Sequence, residues 1–134
     1  MSKDYIDFVN SVTSDPSKNQ IDFVDALMIM EEQGAVPSRL LTAALGLNGE
    51  ASEFSELIKK CIFQGKEYDD TTKNKLKDEL SDVMWYIAQG CIALDISIEE
   101  LIDINMAKLK DRYTTGFDKG RSNARYMGKK EIME

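Results

Sequence analysis

Four carboxylates fall into two pairs of matching spacing, Glu50 with Glu53 and Glu79 with Asp82. Each pair lies in a stretch whose apolar spacing reads as helix. Residues i and i+3 share a helix face, so each pair projects two carboxylates side by side. Carboxylates that converge between two helices repel unless a positive charge sits among them. Hard divalent cations that prefer oxygen donors, Mg²⁺ or Mn²⁺ as its substitute, are the natural occupants.

Angular position says which acids face a core. At about 100° per residue from Glu50, Cys61 lies near 20°, Phe54 near 40° and Leu57 near 340°. Glu50 is thus inside the apolar stripe. Glu53, at about 300°, is at its edge, and Glu56, at about 240°, is expected to face solvent. Counted from Glu79, Leu76, Val83 and Ile87 centre at about 70° and Asp82 lies at about 300°, well off that centre. A carboxylate in an apolar stripe is costly unless it is paired or metal-bound. The competing reading is plain surface charge, with the acids solvated or paired to Lys59, Lys60 or Lys77, since charged helix faces are common.

The elements that must position these acids follow from periodicity and capping signals. A short first segment carries Ile6, Phe8 and Val9 and breaks around Ser14-Asp15-Pro16-Ser17. A second helix is predicted from Asn19 to Gln33, ended by Gly34. A third runs from Pro37 to about Phe63, with Gly65 as its stop. Asp69 or Asp70 caps a fourth, which reaches about Leu94. Ser97 with Glu100 three residues on is a capping box, opening a last helix that ends near Arg112. No strand is predicted. Helices joined by short loops indicate an all-α bundle of four to five helices. Residues 1–118 read as one domain and 119–134 as a polar tail.

Composition narrows the chemistry. The chain has 134 residues, one domain's length, with 24 acidic against 17 basic residues and a net charge of −7. No basic patch suits DNA or RNA. There is no histidine, which removes Ser-His-Asp and Cys-His catalysis and the Glu-x-x-His signature of di-iron bundles. Cys61 and Cys91 fall on apolar helix faces and read as reduced core residues. No apolar run approaches a membrane span, and the N-terminal residues lack a signal-peptide pattern. The expected location is the cytoplasm.

The residues around the acid pairs add a resemblance. Gly46-Leu47-Asn48-Gly49-Glu50-Ala51-Ser52-Glu53, then Asp78-Glu79-Leu80-Ser81-Asp82-Val83-Met84-Trp85-Tyr86, resemble the MazG-like all-α nucleoside triphosphate pyrophosphohydrolases. The stretch from Asn105 through Lys108 to Arg112 and Tyr113 is similar to the family's next helix. The resemblance covers about residues 38 to 118 and implies a homodimer or homotetramer that completes the bundle. It implies cleavage of a nucleoside triphosphate between the α and β phosphates, with deoxynucleotides favoured as substrates. Glu50, Glu53, Glu79 and Asp82 would hold Mg²⁺, and Glu53 would orient or deprotonate the attacking water. Lys60, Asn105, Lys108, Arg112 and Tyr113 are candidate substrate contacts, with Arg125 a weaker one. Tyr86, one turn after Asp82, is placed to face the base, whereas Trp85 points to core or interface. Phe23 is a further candidate for a base wall. The alternative is a non-catalytic α-helical interaction module with a degenerate acidic site.

Overall fold

The computed structural model describes residues 2–113, and within them the chain is helical throughout. The elements are α1 (Lys3–Val12), α2 (Asp15–Lys18), α3 (Gln20–Glu32), α4 (Pro37–Phe63), α5 (Asp70–Ala93) and α6 (Ile98–Arg112). The chain divides into two compact units, 1–96 and 97–134. The predicted tail 119–134, Arg125 included, lies outside the described residues.

Local chemistry fixes most boundaries. Pro37 opens α4, where its missing N–H has no intrahelical acceptor to lose. Asp69 caps α5 by accepting from the Thr72 N–H at 2.7 Å. The Thr72 hydroxyl donates to the Glu67 carbonyl at 3.0 Å, so this side chain, 2% exposed, pins the turn to the helix it precedes. Ser97 accepts from the Glu100 N–H at 3.0 Å and starts α6, as its spacing predicts. Gly34 (φ 89°) ends α3 in a left-handed turn in which Ala35 N–H donates to Met30 O and Gly34 N–H to Glu31 O.

Two local features depart from the predicted pattern. The expected break at Ser14–Ser17 holds a one-turn helix, α2, with Pro16 in its first turn. Proline's fixed φ suits that position, so a signal read as punctuation starts a helix instead. This short turn brings the described helices to six rather than four or five. The second feature ends α5. Ile96 N–H donates to Cys91 O and Asp95 N–H to Ile92 O, the same closing pattern as at Gly34, but the left-handed residue is Asp95 at φ 54°.

Within residues 2–96 the main tertiary contact is α4 against α5, running antiparallel. Arg39 donates to the Gln89 side-chain oxygen at 3.1 Å. Next, Ala43 faces Gly90, where an added Cβ would sit 3.8 Å from the alanine methyl. Gly46 then meets the ring of Tyr86, and Glu50 and Glu53 meet Glu79. Contacts advance along α4 as they retreat along α5. Small residues at one end let the backbones approach, and the acids follow on the same seam. By contrast, α3 touches α4 only lightly, and α1 packs on none of α2–α5.

The core of this helix pair is thin. Among the described residues only Ala43 and Cys91, each 5% exposed, and Thr72 are buried. Ile21, Met28, Leu45, Ile62, Phe63 and Trp85 are all more than half exposed. Cys61 and Cys91 are both free thiols, Cys91 buried and Cys61 half-buried. In unit 97–134, α6 carries Ile102 and Ile104 exposed and Leu101 half-buried.

Replacing Asp95 by glycine should stabilise the fold. A left-handed conformation costs an L-residue roughly 1–2 kcal/mol, and glycine's greater freedom when unfolded takes back part of that. The expected gain is about 0.5–1 kcal/mol, read as a higher urea midpoint at unchanged slope. A midpoint that stays or falls for Asp95→Gly would mean that the aspartate's own side chain stabilises this turn.

Candidate metal centre and its cleft

The seam between α4 and α5 brings Glu50, Glu53 and Glu79 together. Carboxylate oxygens of all three lie within 4.8 Å of one another. Glu50 and Glu79 are half-buried and Glu53 is exposed. Oxygens on opposite sides of one Mg²⁺ or Ca²⁺ ion are about 4–5 Å apart, so this spacing suits a single hard cation. An all-carboxylate set with no sulfur or nitrogen donor excludes soft-metal preference. Asp82, the fourth predicted ligand, is exposed and lies outside this trio. Its charge nevertheless reaches Glu79.

Electrostatics confirm the crowding. The Glu79 carboxyl is held above its ordinary value, first by loss of solvent and then by the charges of Glu53, Glu50, Asp82 and Asp78. The three lysines considered as partners from the sequence are engaged elsewhere. Lys59 and Lys60 both pair with Glu56, Lys60 at 3.7 Å. Lys77 donates to the Asn74 side-chain oxygen at 3.3 Å. Glu56 is correspondingly held below its ordinary value, chiefly by its hydrogen bond from Lys59. The plain pairing of the acid trio with Lys59, Lys60 or Lys77 is therefore not formed.

A cleft of about 580 Å³ opens beside the acids, lined by Ser52, Glu53, Glu56, Leu57 and Lys60 from α4 and by Lys75 and Glu79 from α5. It contains the predicted Lys60. It also contains Glu56 and Lys75, neither of which sequence reasoning assigned to the site. Glu56, expected to face solvent, keeps its side chain 42% exposed while lining the cleft, and pairs there with Lys59 and Lys60 of its own helix. Lys75 lies at i−4 from Glu79 and i−7 from Asp82, so it shares their face. That spacing was the available signal.

Tyr86 packs across the seam instead of lining this cleft. A Cβ built on Gly46 would fall 2.0 Å from the Tyr86 ring. The ring therefore rests on the bare backbone of α4, one turn from Glu50, while its own helix places it one turn from Asp82. Trp85 meets it edge-on, ring centres 4.7 Å apart, and is itself 54% exposed. Phe23 is not at the acid cleft either. It lines an apolar groove with Leu27 and Met30 of α3 and Leu40, Leu41 and Ala44 of α4. On α6, Asn105 and Lys108 are exposed. Arg112 stacks its guanidinium 5.8 Å from the Tyr113 ring centre, and its Nε is buried with no hydrogen-bond partner among the described residues.

Two outcomes follow from this geometry. Because the folded protein holds the Glu79 proton more tightly than the unfolded chain, it binds more protons in the window above the ordinary value of 4.5. The stability associated with Glu79 is complete below that value and is lost as pH rises through its higher folded-state value. Metal-free protein should therefore melt higher as pH is lowered from neutrality toward 4.5, and Glu79→Gln should flatten that rise. An equal slope in wild type and variant would show that Glu79 does not carry it. Separately, Gly46→Ala should destabilise the fold by about 1–3 kcal/mol through overpacking. In a Tyr86→Ala background the same change should turn neutral or favourable, leaving alanine's helix-propensity gain of about 1 kcal/mol. Additive effects in that cycle would remove the contact from the account.

Comparison with known proteins agrees with this arrangement. The profile of the MazG nucleotide pyrophosphohydrolase domain matches residues 39–117, which include both acid pairs and α6. The chain is 37% identical over 83 residues to the "Gene 37 protein" of Mycobacterium phage L5, covering 60% of this chain and 72% of that one. No solved structure matches significantly. With more than half its length matched to that profile, and with acids from both helices drawn together on one seam, the chain belongs to the MazG nucleotide pyrophosphohydrolase domain family.

Proposed function

We propose that this protein is a Mg²⁺-dependent hydrolase that converts a nucleoside triphosphate, preferably a deoxynucleotide, to the monophosphate and pyrophosphate. The observation that carries the reading is the convergence of Glu50, Glu53 and Glu79 within 4.8 Å beside an open cleft that also holds lysines. Family membership supplies the reaction class. Glu50, Glu53, Glu79 and Asp82 are the residues assigned to hold the metal, with Asp82 completing the set from its place beside Glu79. Bound Mg²⁺ would supply charge neutralisation and Lewis acidity toward phosphate oxygens and water.

The chain's own residues account for the remaining chemistry. Glu53 is the most exposed of the trio and lines the cleft, so it is assigned to orient the attacking water and take its proton. The water oxygen bonds to the α-phosphorus, and the bond from that phosphorus to the bridging oxygen breaks. The electron pair stays on the bridging oxygen, which leaves with pyrophosphate. Lys60 supports the phosphates. On α6, Asn105, Lys108 and Arg112 share a stripe and are assigned to substrate with Tyr113 on the family resemblance. The Nε of Arg112, buried with no hydrogen-bond partner among the described residues, suits an anionic acceptor.

The same reading includes a homodimer or homotetramer. Its support is the apolar surface that a single copy leaves open, from Ile21 and Met28 on α3 to Phe63 and Trp85. No described helix is long and apolar enough to cross a membrane. Action in the cytoplasm on the nucleotide pool is the matching location, with residues 1–118 as one functional domain.

The test is release of pyrophosphate against orthophosphate from a panel of canonical NTPs and dNTPs with Mg²⁺. Pyrophosphate plus monophosphate is expected, with deoxynucleotides turned over faster. Glu53→Gln and Glu79→Gln should each lose at least a hundredfold in kcat, since removing a charge-stabilising group commonly costs that much. Orthophosphate as the product would indicate a different phosphohydrolase. No product from a well-folded protein, with Mg²⁺ causing no thermal shift, would favour the interaction module.

A further inference from the structure

The cleft beside the acids is electrically lopsided, and that asymmetry sets a direction for the substrate. Its acidic end is formed by Glu53 and Glu79, with Glu50 beside them. Its basic end lies toward the C-terminus of α4 and the N-terminus of α5, which contribute Lys60 and Lys75 to the lining. Glu53 and Lys60 are seven residues apart, about 10 Å along the helix axis. That is room for two phosphate groups beyond one held at the acids. On the other side of the trio the seam closes. Gly46 is filled by Tyr86, and Arg39, the cation at that end, is committed to Gln89.

The two lysines of the basic end are not equivalent. Lys60 shares Glu56 with Lys59, so its charge is already partly answered. Lys75 makes no ion pair and no hydrogen bond among the described residues. It stands one turn before Glu79 on the same helix face, at the cleft wall. An uncommitted ammonium beside a cluster of carboxylates suits an anion that arrives with neutralising metal.

We infer that Lys75 is the principal contact for the leaving pyrophosphate. The triphosphate would then lie along the α4–α5 cleft, its α phosphate at the acids and its β and γ phosphates toward Lys75 and Lys60. This rests on the hydrolase reading above and adds to it a polarity and a residue. Lys75 donates to β- or γ-phosphate oxygens and stabilises the negative charge that builds on the bridging oxygen as its bond to the α-phosphorus breaks. It takes no proton and forms no covalent bond.

The experiment measures binding as well as turnover. Inorganic pyrophosphate is titrated by calorimetry, in excess Mg²⁺, into wild type, Lys75→Met, Lys75→Arg and Lys77→Met. The last makes the same charge change on the same helix away from the cleft. Lys75→Met should weaken pyrophosphate binding about tenfold, the scale of one charged hydrogen bond. Lys75→Arg should retain most of the affinity, and Lys77→Met nearly all. Product inhibition by the nucleoside monophosphate should be the same in Lys75→Met as in wild type. Equal pyrophosphate affinity in wild type and Lys75→Met overturns the inference, as does a loss confined to monophosphate, which would reverse the polarity. Because binding needs no turnover, the two readings fail separately: Lys75-dependent pyrophosphate binding by a protein that hydrolyses nothing would keep Lys75 as a pyrophosphate contact but overturn its leaving-group role together with the hydrolase reading.

Discussion

Three carboxylates held within 4.8 Å of one another are the constraint to which the rest of the structure responds. Without a cation the arrangement opposes itself, and loss of solvent followed by the charges of the neighbouring acids holds the Glu79 carboxyl above its ordinary value. Something else must hold α4 to α5. The small residues do so: Ala43 against Gly90, and Gly46 beneath Tyr86, with the Arg39–Gln89 bond at the far end. Close packing on one stretch of the seam offsets repulsion on the next. At the opposite end, Thr72 and Asp69 lock the turn that leads into α5. Repulsion among the acids is thus confined between two braced segments. The crowding of negative charge is a property of the fold itself and does not wait on a bound cation.

The sequence revealed those parts of the fold that depend on neighbours in the chain. The start of α4 at Pro37, the cap at Ser97 and the stop at Gly34 are local hydrogen-bonding and φ preferences, and each stands where its residue predicts. The angular argument placed Glu50 inside the stripe and Asp82 off it, and the trio includes the first and omits the second. What could not be read were pairings across the seam. Helical spacing does not say that Tyr86 lies on Gly46, because that depends on the register of two helices. Glu56 was assigned to solvent from its angle and keeps its side chain 42% exposed, but its place on the cleft rim depends on how α4 meets α5 and could not be read. Asp95 was overlooked because glycine is the usual signal for a left-handed stop, and aspartate is the less common occupant.

The thin core has a bearing on how such a site can persist. A helix pair with three buried side chains among its described residues has little apolar burial to set against self-repulsion. Hydrophobic stabilisation scales with apolar area withdrawn from water. In this chain much of that area is still exposed, on α1, on α3 and at the end of α4. Stability and site geometry are therefore linked through whatever covers those faces. Charge at the acids and apolar contact elsewhere act on the same two helices.

A contact that depends on a missing atom behaves differently from one that depends on an atom present. Most packing contacts weaken by degrees, because a side chain can shrink or shift and keep part of its surface buried. Gly46 has no smaller alternative, and the smallest enlargement already collides with the Tyr86 ring. Position 46 acts as a mechanical stop for the spacing of the two helices. Gradual sequence drift is open only on the other side of the contact, at position 86, where a smaller ring or an aliphatic residue can be accommodated.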